Sequence, residues 1–207
     1  MFKYRLPSLV KFSVPKALWK VKTTDKVLYL TFDDGPHPTI THWVLNELNK
    51  YNAKATFFCV GENVTKYPTI YQQILAQGHT TGNHTYNHLN GFKTPAKKYL
   101  NNIEKAQSVI HSKLFRPPYG RINPFLALQL KNRLQIVMWS VLSCDYNANL
   151  NINESLLQLK KSVPGDILVF HDSEKAFNQL QQLLPEVLQY FTNLNFTFKA
   201  IPQHGNV

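Results

Sequence analysis

The sequence predicts an α/β fold in a single domain, a β/α barrel of parallel strands and crossover helices. Three observations lead there. Short apolar runs rich in β-branched and aromatic residues alternate with helical stretches along most of the chain, as parallel sheets with crossover helices require. Polar clusters fall at the C-terminal ends of those runs, the face on which a β/α barrel gathers side chains from different strands. The 207 residues suffice for a sizeable core; the 12 Pro are scattered, the 8 Gly form no linker, and no repeat recurs at a fixed period.

Taken in order, residues 1–26 form a basic arm in which Lys3, Arg5, Lys11, Lys16, Lys20 and Lys22 interleave with Phe2, Tyr4, Leu9, Phe12, Leu18 and Trp19. Packing across the closed end of the domain is the ordinary role for such an arm, and peripheral contact with an anionic membrane is the alternative. Its apolar runs fall short of the roughly 7–15 residues at the centre of a signal peptide, and no stretch approaches the roughly 18 of a membrane-spanning helix. The expectation is therefore a cytoplasmic or peripheral-membrane location.

The domain proper is expected over 27–201, with strands at 27–32, 55–60, 135–139, 167–170 and 196–200 and a tail at 202–207. Thr94 followed by Pro95 predicts an N-cap and first helical position, after which Leu100, Ile103 and Ile110 share a face. Phe177, Leu180, Leu184, Val187 and Phe191 recur at spacings of three and four in a last long helix that Pro185 is expected to kink or interrupt. Both stripes are core.

With 23 Lys and Arg against 12 Asp and Glu, the net charge is +11, which favours contact with polyanions such as anionic lipid or an acidic cell-wall polymer. No nucleic-acid motif accompanies the charge, so no nucleic acid is expected as partner. Cys59 and Cys144 are too few for a disulfide framework and lack a Cys-x-x-Cys spacing, which leaves free thiols.

His84 and His88 lie four residues apart, so on a helical turn both imidazoles point the same way and can share one cation. A carboxylate at Asp34 completes a His/His/Asp set with positions open for water and substrate. Its neighbour Asp33 is then free to accept a proton, and a cation lowers the pKa of water from about 15.7 toward 7. Asp33 and Asp34 follow the first strand, Asp145 follows the strand ending at Trp139, and His171 follows the run 167–170.

Four segments, Thr31-Phe32-Asp33-Asp34-Gly35-Pro36, His84-Thr85-x-x-His88, Arg116-Pro117-Pro118-Tyr119 and Ile167-Leu168-Val169-Phe170-His171-Asp172, resemble in kind and order the motifs of the polysaccharide deacetylases. This family is also called the NodB homology domain or carbohydrate esterase family 4, and the resemblance spans roughly 26–200. It implies a distorted, incomplete, seven-stranded TIM-like barrel that removes N-acetyl groups from a GlcNAc-containing glycan such as peptidoglycan or a chitin-like oligomer. It further implies Asp33 as general base, and Asp34, His84 and His88 as ligands of one divalent metal, usually zinc, with cobalt, nickel, manganese or iron as alternatives. Water held by that cation is the implied nucleophile. Arg116 would orient Asp33, the backbone N–H of Tyr119 would stabilise the oxyanion, and His171, held by Asp145, would protonate the leaving amine. Pro118, Tyr119, Trp139 and Val169 are assigned to the substrate pocket.

Two departures from the family pattern bear on that pocket. Leu142-Ser143-Cys144-Asp145-Tyr146 lacks the outer aspartate of the usual Asp-x-x-Asp-Trp and carries Tyr for Trp, and Val169 stands where leucine is usual. Substrate choice rests on such differences, since one methylene changes discrimination by about 1–3 kcal/mol. An O-acetyl esterase acting on acetylated xylan and a catalytically silent glycan-binding module are the competing readings. Either the loss caused by His171→Ala on matched amide and ester substrates or the absence of any hydrolysis separates them.

Overall fold

A computed structural model describes residues 4, 5, 14 and 16–203. The first strand, β1 (Val27–Asp33), is buried at all seven positions, as expected where a parallel sheet is covered on both faces and apolar residues run on without alternation. There follow α1 (Ile40–Lys50), β2 (Thr56–Cys59), α2 (Gly61–Lys66), α3 (Pro68–Ala76), β3 (Thr80–Asn83), α4 (Ala96–Gln107), β4 (Leu114–Phe115) and α5 (Pro124–Leu130). The chain ends with β5 (Gln135–Ile136), β6 (Val141–Leu142), α6 (Ile152–Leu159), β7 (Ile167–His171), α7 (Phe177–Asn193) and β8 (Thr197–Phe198).

All pairings are parallel, in the order β5-β4-β3-β2-β1-β7-β6, with β8 joining β1. The sheet curls into an incomplete barrel whose end strands, β5 and β6, are separated by only residues 137–140. Register matters for function: Asp33 is the partner of Phe58 on one neighbouring strand and of His171 on the other. A base candidate and an acid candidate thus leave adjacent strands at the same height.

The largest apolar cluster lies between the sheet and helices α1, α3 and α7, with Phe32 stacked between Phe57 and Phe170 at 5.0 and 5.8 Å. A second cluster surrounds α4 and α5 and takes in Trp19 and Val14 of the arm. Leu18 bridges Val137, Lys20 bridges Asp166, and the Val21 N–H donates to the Gly165 carbonyl at the start of β7. Arg5 and Lys20 both approach Asp166 at 3.3 Å, so the described arm residues are packed onto the domain. Lys3, Lys11, Phe2, Leu9 and Phe12 lie outside the described residues. No helix among the described residues is long and apolar enough to cross a membrane.

Several sequence expectations need correction. The strand expected at 135–139 stops at Ile136, because the carbonyls of Val137 and Met138 accept from the Arg116 guanidinium instead of continuing the ladder. Asp145 consequently follows β6, a two-residue strand too short to leave a period in sequence. β3 and β4 escaped notice for similar reasons, one being Thr-Thr-Gly-Asn and the other two residues long. Thr94 is not the cap of α4: Pro95, with ψ 138, takes that place and its carbonyl accepts from Tyr99. Ile110 is buried but lies beyond the helix. Pro185 does not interrupt α7, where burial of Leu180, Leu183, Leu184, Val187, Leu188 and Phe191 outweighs one missing hydrogen bond.

Candidate active site

At the C-terminal ends of the strands a cavity of about 710 Å³ opens, lined by Asp33, Asp34, His84, His88, Tyr119, Trp139, Leu142, Tyr146, Val169 and His171, with Asn90, Lys93, Gly120, Arg121 and Lys175 at its edge. Residues far apart in sequence meet here because each belongs to a strand end or the loop that follows it.

Asp33 closes β1, and Asp34 follows with a left-handed backbone, φ 82. The loop is held from two sides. Asn63 donates to the Asp34 carbonyl at 2.8 Å, while the Gly35 N–H and the Thr41 hydroxyl both donate to the buried Asp172 carboxylate. Only glycine fits at 35, since a Cβ there would lie 2.0 Å from Asp172 Oδ2. Burial, then the charge of Asp34, pushes the Asp172 carboxyl up to about 8. Its place as a strut was not read from sequence, although it stood in a quoted motif.

His84 and His88 do not occupy a helical turn. They lie on a loop after β3 that left-handed residues at Thr85 (φ 63) and His88 (φ 53) fold back, so that the two rings sit 5.1 Å apart. Asn83 and Asn102 secure the loop by accepting from the backbone of Thr85, Tyr86 and Asn87. Asp34 Oδ1 is 3.1 Å from His88 Nε2 and 3.7 Å from His84 Nε2, and one ligand atom of each residue falls within 4.8 Å of the others. Burial lowers the His84 pKa to about 4, so the ring is neutral; its Nδ1–H donates to the Arg116 carbonyl at 2.7 Å. That bond selects the tautomer whose Nε2 lone pair faces the cluster, the usual second partner of a metal-binding histidine. Burial acts to raise the Asp34 pKa, but the His88 hydrogen bond and then the charge of His171 outweigh it and hold Asp34 well below the ordinary carboxylate range.

Arg116 is fully buried. Its Nη1 donates to Asp33 Oδ1 and Thr31 Oγ1, each at 2.7 Å, its Nε and Nη2 reach the Val137 and Met138 carbonyls, and its guanidinium lies 4.1 Å from the Phe58 ring centroid. Across β1, His171 Nδ1 donates to Asp145 Oδ1 at 2.7 Å, and the His171 backbone N–H donates to Oδ2 at 2.8 Å. Asp145 itself is inaccessible. Tyr146, the Tyr-for-Trp departure, sets its ring edge-on to His171 at 5.2 Å.

Tyr119, exposed and at φ 62, meets His88 ring to ring at 4.7 Å. Trp139 and Val169 line the cavity as expected, but Pro118 is buried and is not among its lining residues. The polar edge of Asn90, Lys93, Arg121 and Lys175 was missed, because isolated loop residues carry no periodicity.

Fold and cluster together define a class, the metal-dependent hydrolases built on an incomplete β/α barrel. Comparison with known proteins narrows it: the model of the family described as "Polysaccharide deacetylase" matches residues 20–139. The chain belongs to that family. A peptidoglycan-N-acetylglucosamine deacetylase of Bacillus cereus is 34% identical over 194 residues, covering 89% of this chain and 91% of that protein. The peptidoglycan-N-acetylglucosamine deacetylase PgdA of Listeria monocytogenes is 35% identical over 181 residues; the match covers 83% of this chain but only 37% of PgdA. Among solved structures, the Bc1960 peptidoglycan N-acetylglucosamine deacetylase superposes with a TM-score of 0.79 at 29% identity, over 95% of each chain.

Proposed function

We propose that this protein hydrolyses the N-acetyl amide of GlcNAc-type units in peptidoglycan or a related N-acetylated glycan, releasing acetate and leaving a free amine. One observation carries the reading: a His/His/Asp cluster lies in a single cavity between a buried Arg116–Asp33 pair and a His171 held by the buried Asp145. The names of the similar proteins support the substrate class.

Asp34, His84 and His88 would hold one divalent cation. Two neutral imidazole nitrogens and a carboxylate oxygen suit zinc, and also cobalt, nickel, manganese or iron. When bound, such a cation supplies Lewis acidity that eases the ionisation of water and polarises the acetyl carbonyl.

The chain's own residues do the rest. Asp33, held through Oδ1 by Arg116 Nη1, accepts the proton of the attacking water. The Tyr119 N–H donates to the oxygen that gains charge, a contact of a kind whose loss costs roughly 100 to 1,000-fold. His171 Nε2 delivers a proton to the departing nitrogen while Asp145 holds the other side of the ring. This last pair favours amide over ester chemistry, because an amine departs poorly unprotonated and an alkoxide from an ester has less need of the acid. The net charge of +11 suits peripheral contact with an anionic wall polymer or membrane.

The test is acetate release from N-acetylglucosamine oligomers by chelator-stripped protein before and after zinc is restored, with Asp33→Asn in parallel. Release that zinc restores, and that the variant lowers by roughly 100 to 10,000-fold, is the expected result. Stoichiometric zinc with no release from any N-acetylated glycan would overturn the proposal.

A further inference from the structure

The edge of the cavity carries charge that the chemistry above does not use. Lys93 lies in the loop between β3 and α4, Arg121 follows the short 3-10 turn after β4, and Lys175 lies between β7 and α7. In the sheet order β3 and β4 stand on one side of β1 and β7 on the other. Two cations therefore flank the reacting centre on the His88 side, and one flanks it on the His171 side.

None of the three makes an ion pair with a carboxylate among the described residues. Asp33 and Asp34 are the acidic residues lining the cavity; Asp33 is neutralised by Arg116 and Asp34 faces the two histidines. Glu174, beside Lys175, points its carboxylate at His37 instead. The edge thus presents unmatched positive charge.

Its two halves are built differently. The Lys93 and Arg121 loops are packed backbone to backbone, since a Cβ on Gly91 would lie 2.5 Å from the Arg121 carbonyl oxygen, which keeps the two cations on neighbouring loops. On the other side Lys175 sits 5.6 Å from the Tyr146 ring centroid, and both residues also line an adjoining cavity of about 250 Å³ with Cys144, Asn147 and Ala148. Tyr146 and Lys175 thus line both cavities, and the smaller one has room for a substituent of a neighbouring sugar. Aromatic faces for stacking sugar rings, Tyr119 and Tyr146, accompany the cations on their respective sides.

We infer that Lys93 with Arg121, and Lys175 with the smaller cavity, form two carboxylate subsites flanking the reacting sugar, so that this protein prefers N-acetylated glycans bearing carboxylates on adjacent units over neutral oligomers. The inference rests on the deacetylase reading and specifies its substrate. In such a glycan the carboxylate could belong to a lactyl ether on the sugar or to an attached peptide.

The experiment uses metal-loaded protein and three glycans of equal length. One is a neutral β-1,4-linked N-acetylglucosamine tetramer, one alternates with muramic acid bearing free lactyl carboxylates, and one carries stem peptides amide-linked to the lactyl groups. Both kcat/KM and calorimetric affinity are measured at low and high salt. A preference of roughly tenfold for either carboxylated glycan at low salt is expected, the sum of a few exposed charge contacts, and it should shrink as salt screens them. The arm showing the preference identifies the carboxylate.

In Lys93→Gln/Arg121→Gln/Lys175→Gln the ratio should fall to within about twofold of unity. Lys97→Gln/Lys98→Gln/Lys131→Gln removes the same charge from exposed positions away from the cavity and should keep the preference. Equal handling of all three glycans, or a preference untouched by the first variant, overturns the subsites while leaving deacetylation intact. Absence of acetate from every glycan overturns the deacetylase reading, and the affinities then still decide for or against the subsites.

Discussion

His171 illustrates how a single residue's chemistry is set by its neighbours. Burial acts to lower its pKa, but Asp145, their hydrogen bond and the charges of Asp34 and Asp33 outweigh it and push the imidazole up to about 9. A histidine raised in this way stabilises the fold fully below its unfolded value, about 6.5, and loses that contribution as pH rises through the folded value. As a proton donor it is lost over the same rise. Asp145→Asn keeps the shape of the contact and removes the charge, so the alkaline limb of the kcat profile should move to lower pH and the rate near pH 8 should fall by on the order of tenfold. A limb that stays in place would remove Asp145 from that role. Arg116 poses the opposite case, a cation that makes four hydrogen bonds and has no solvent contact. Arg116→Ala strands Asp33 in the interior and should cost roughly 3–5 kcal/mol in urea denaturation. Arg116→Lys keeps the charge but not the fork, and should recover little of the activity.

At the scale of elements, short strands and the turns behind them aim the side chains. The β1 exit shows the dependence: Asp34 is held left-handed by a loop pinned to Asp172, just after β7, through Gly35 and to Asn63 of α2. Gly35→Ala drives a methyl into the Asp172 carboxylate, so it should displace Asp34 and lower zinc affinity by 10-fold or more, the loss typical when the support of a ligand is disturbed. Competition with a chromophoric chelator measures this. Unchanged affinity would mean that the loop takes its shape without the strut. Elements also explain what sequence reading recovered. The stripe Phe177, Leu180, Leu184, Val187 and Phe191 was legible because seventeen residues of helix repeat one period several times. β4, β5 and β6 were blurred or missed because two residues contain no period, and their pairing depends on neighbours distant in sequence.

For the whole molecule, the cluster draws together the loops after β1 and β3, two strands apart in the sheet, so metal binding there should report on global stability. Protein with zinc at 100 times its dissociation constant should gain about 2.7 kcal/mol, which for a chain of this size raises Tm by roughly 5–10 °C over the chelated form. Calorimetry with and without zinc checks this, and Asp34→Ala should abolish the difference. Equal melting of the two forms would mean that the site does not bind zinc.

The sequence by itself determined the class of fold, the family resemblance and the candidate reacting groups, because those depend on apolar runs, on residue types and on motif order, all of which are local. It also carried the expectation of an Arg116–Asp33 contact, but not that the pair is buried. Only the tertiary structure decided that His84 and His88 meet on a loop, that Asp145 belongs to the end of β6, that Asp172 braces Gly35 and that Lys93, Arg121 and Lys175 surround one opening. The His84–His88 loop and the place of Asp145 depend on left-handed turns and on strands too short to leave a pattern; the other two are relations between residues tens of positions apart, created when parallel pairing brings separate strand ends to the same height.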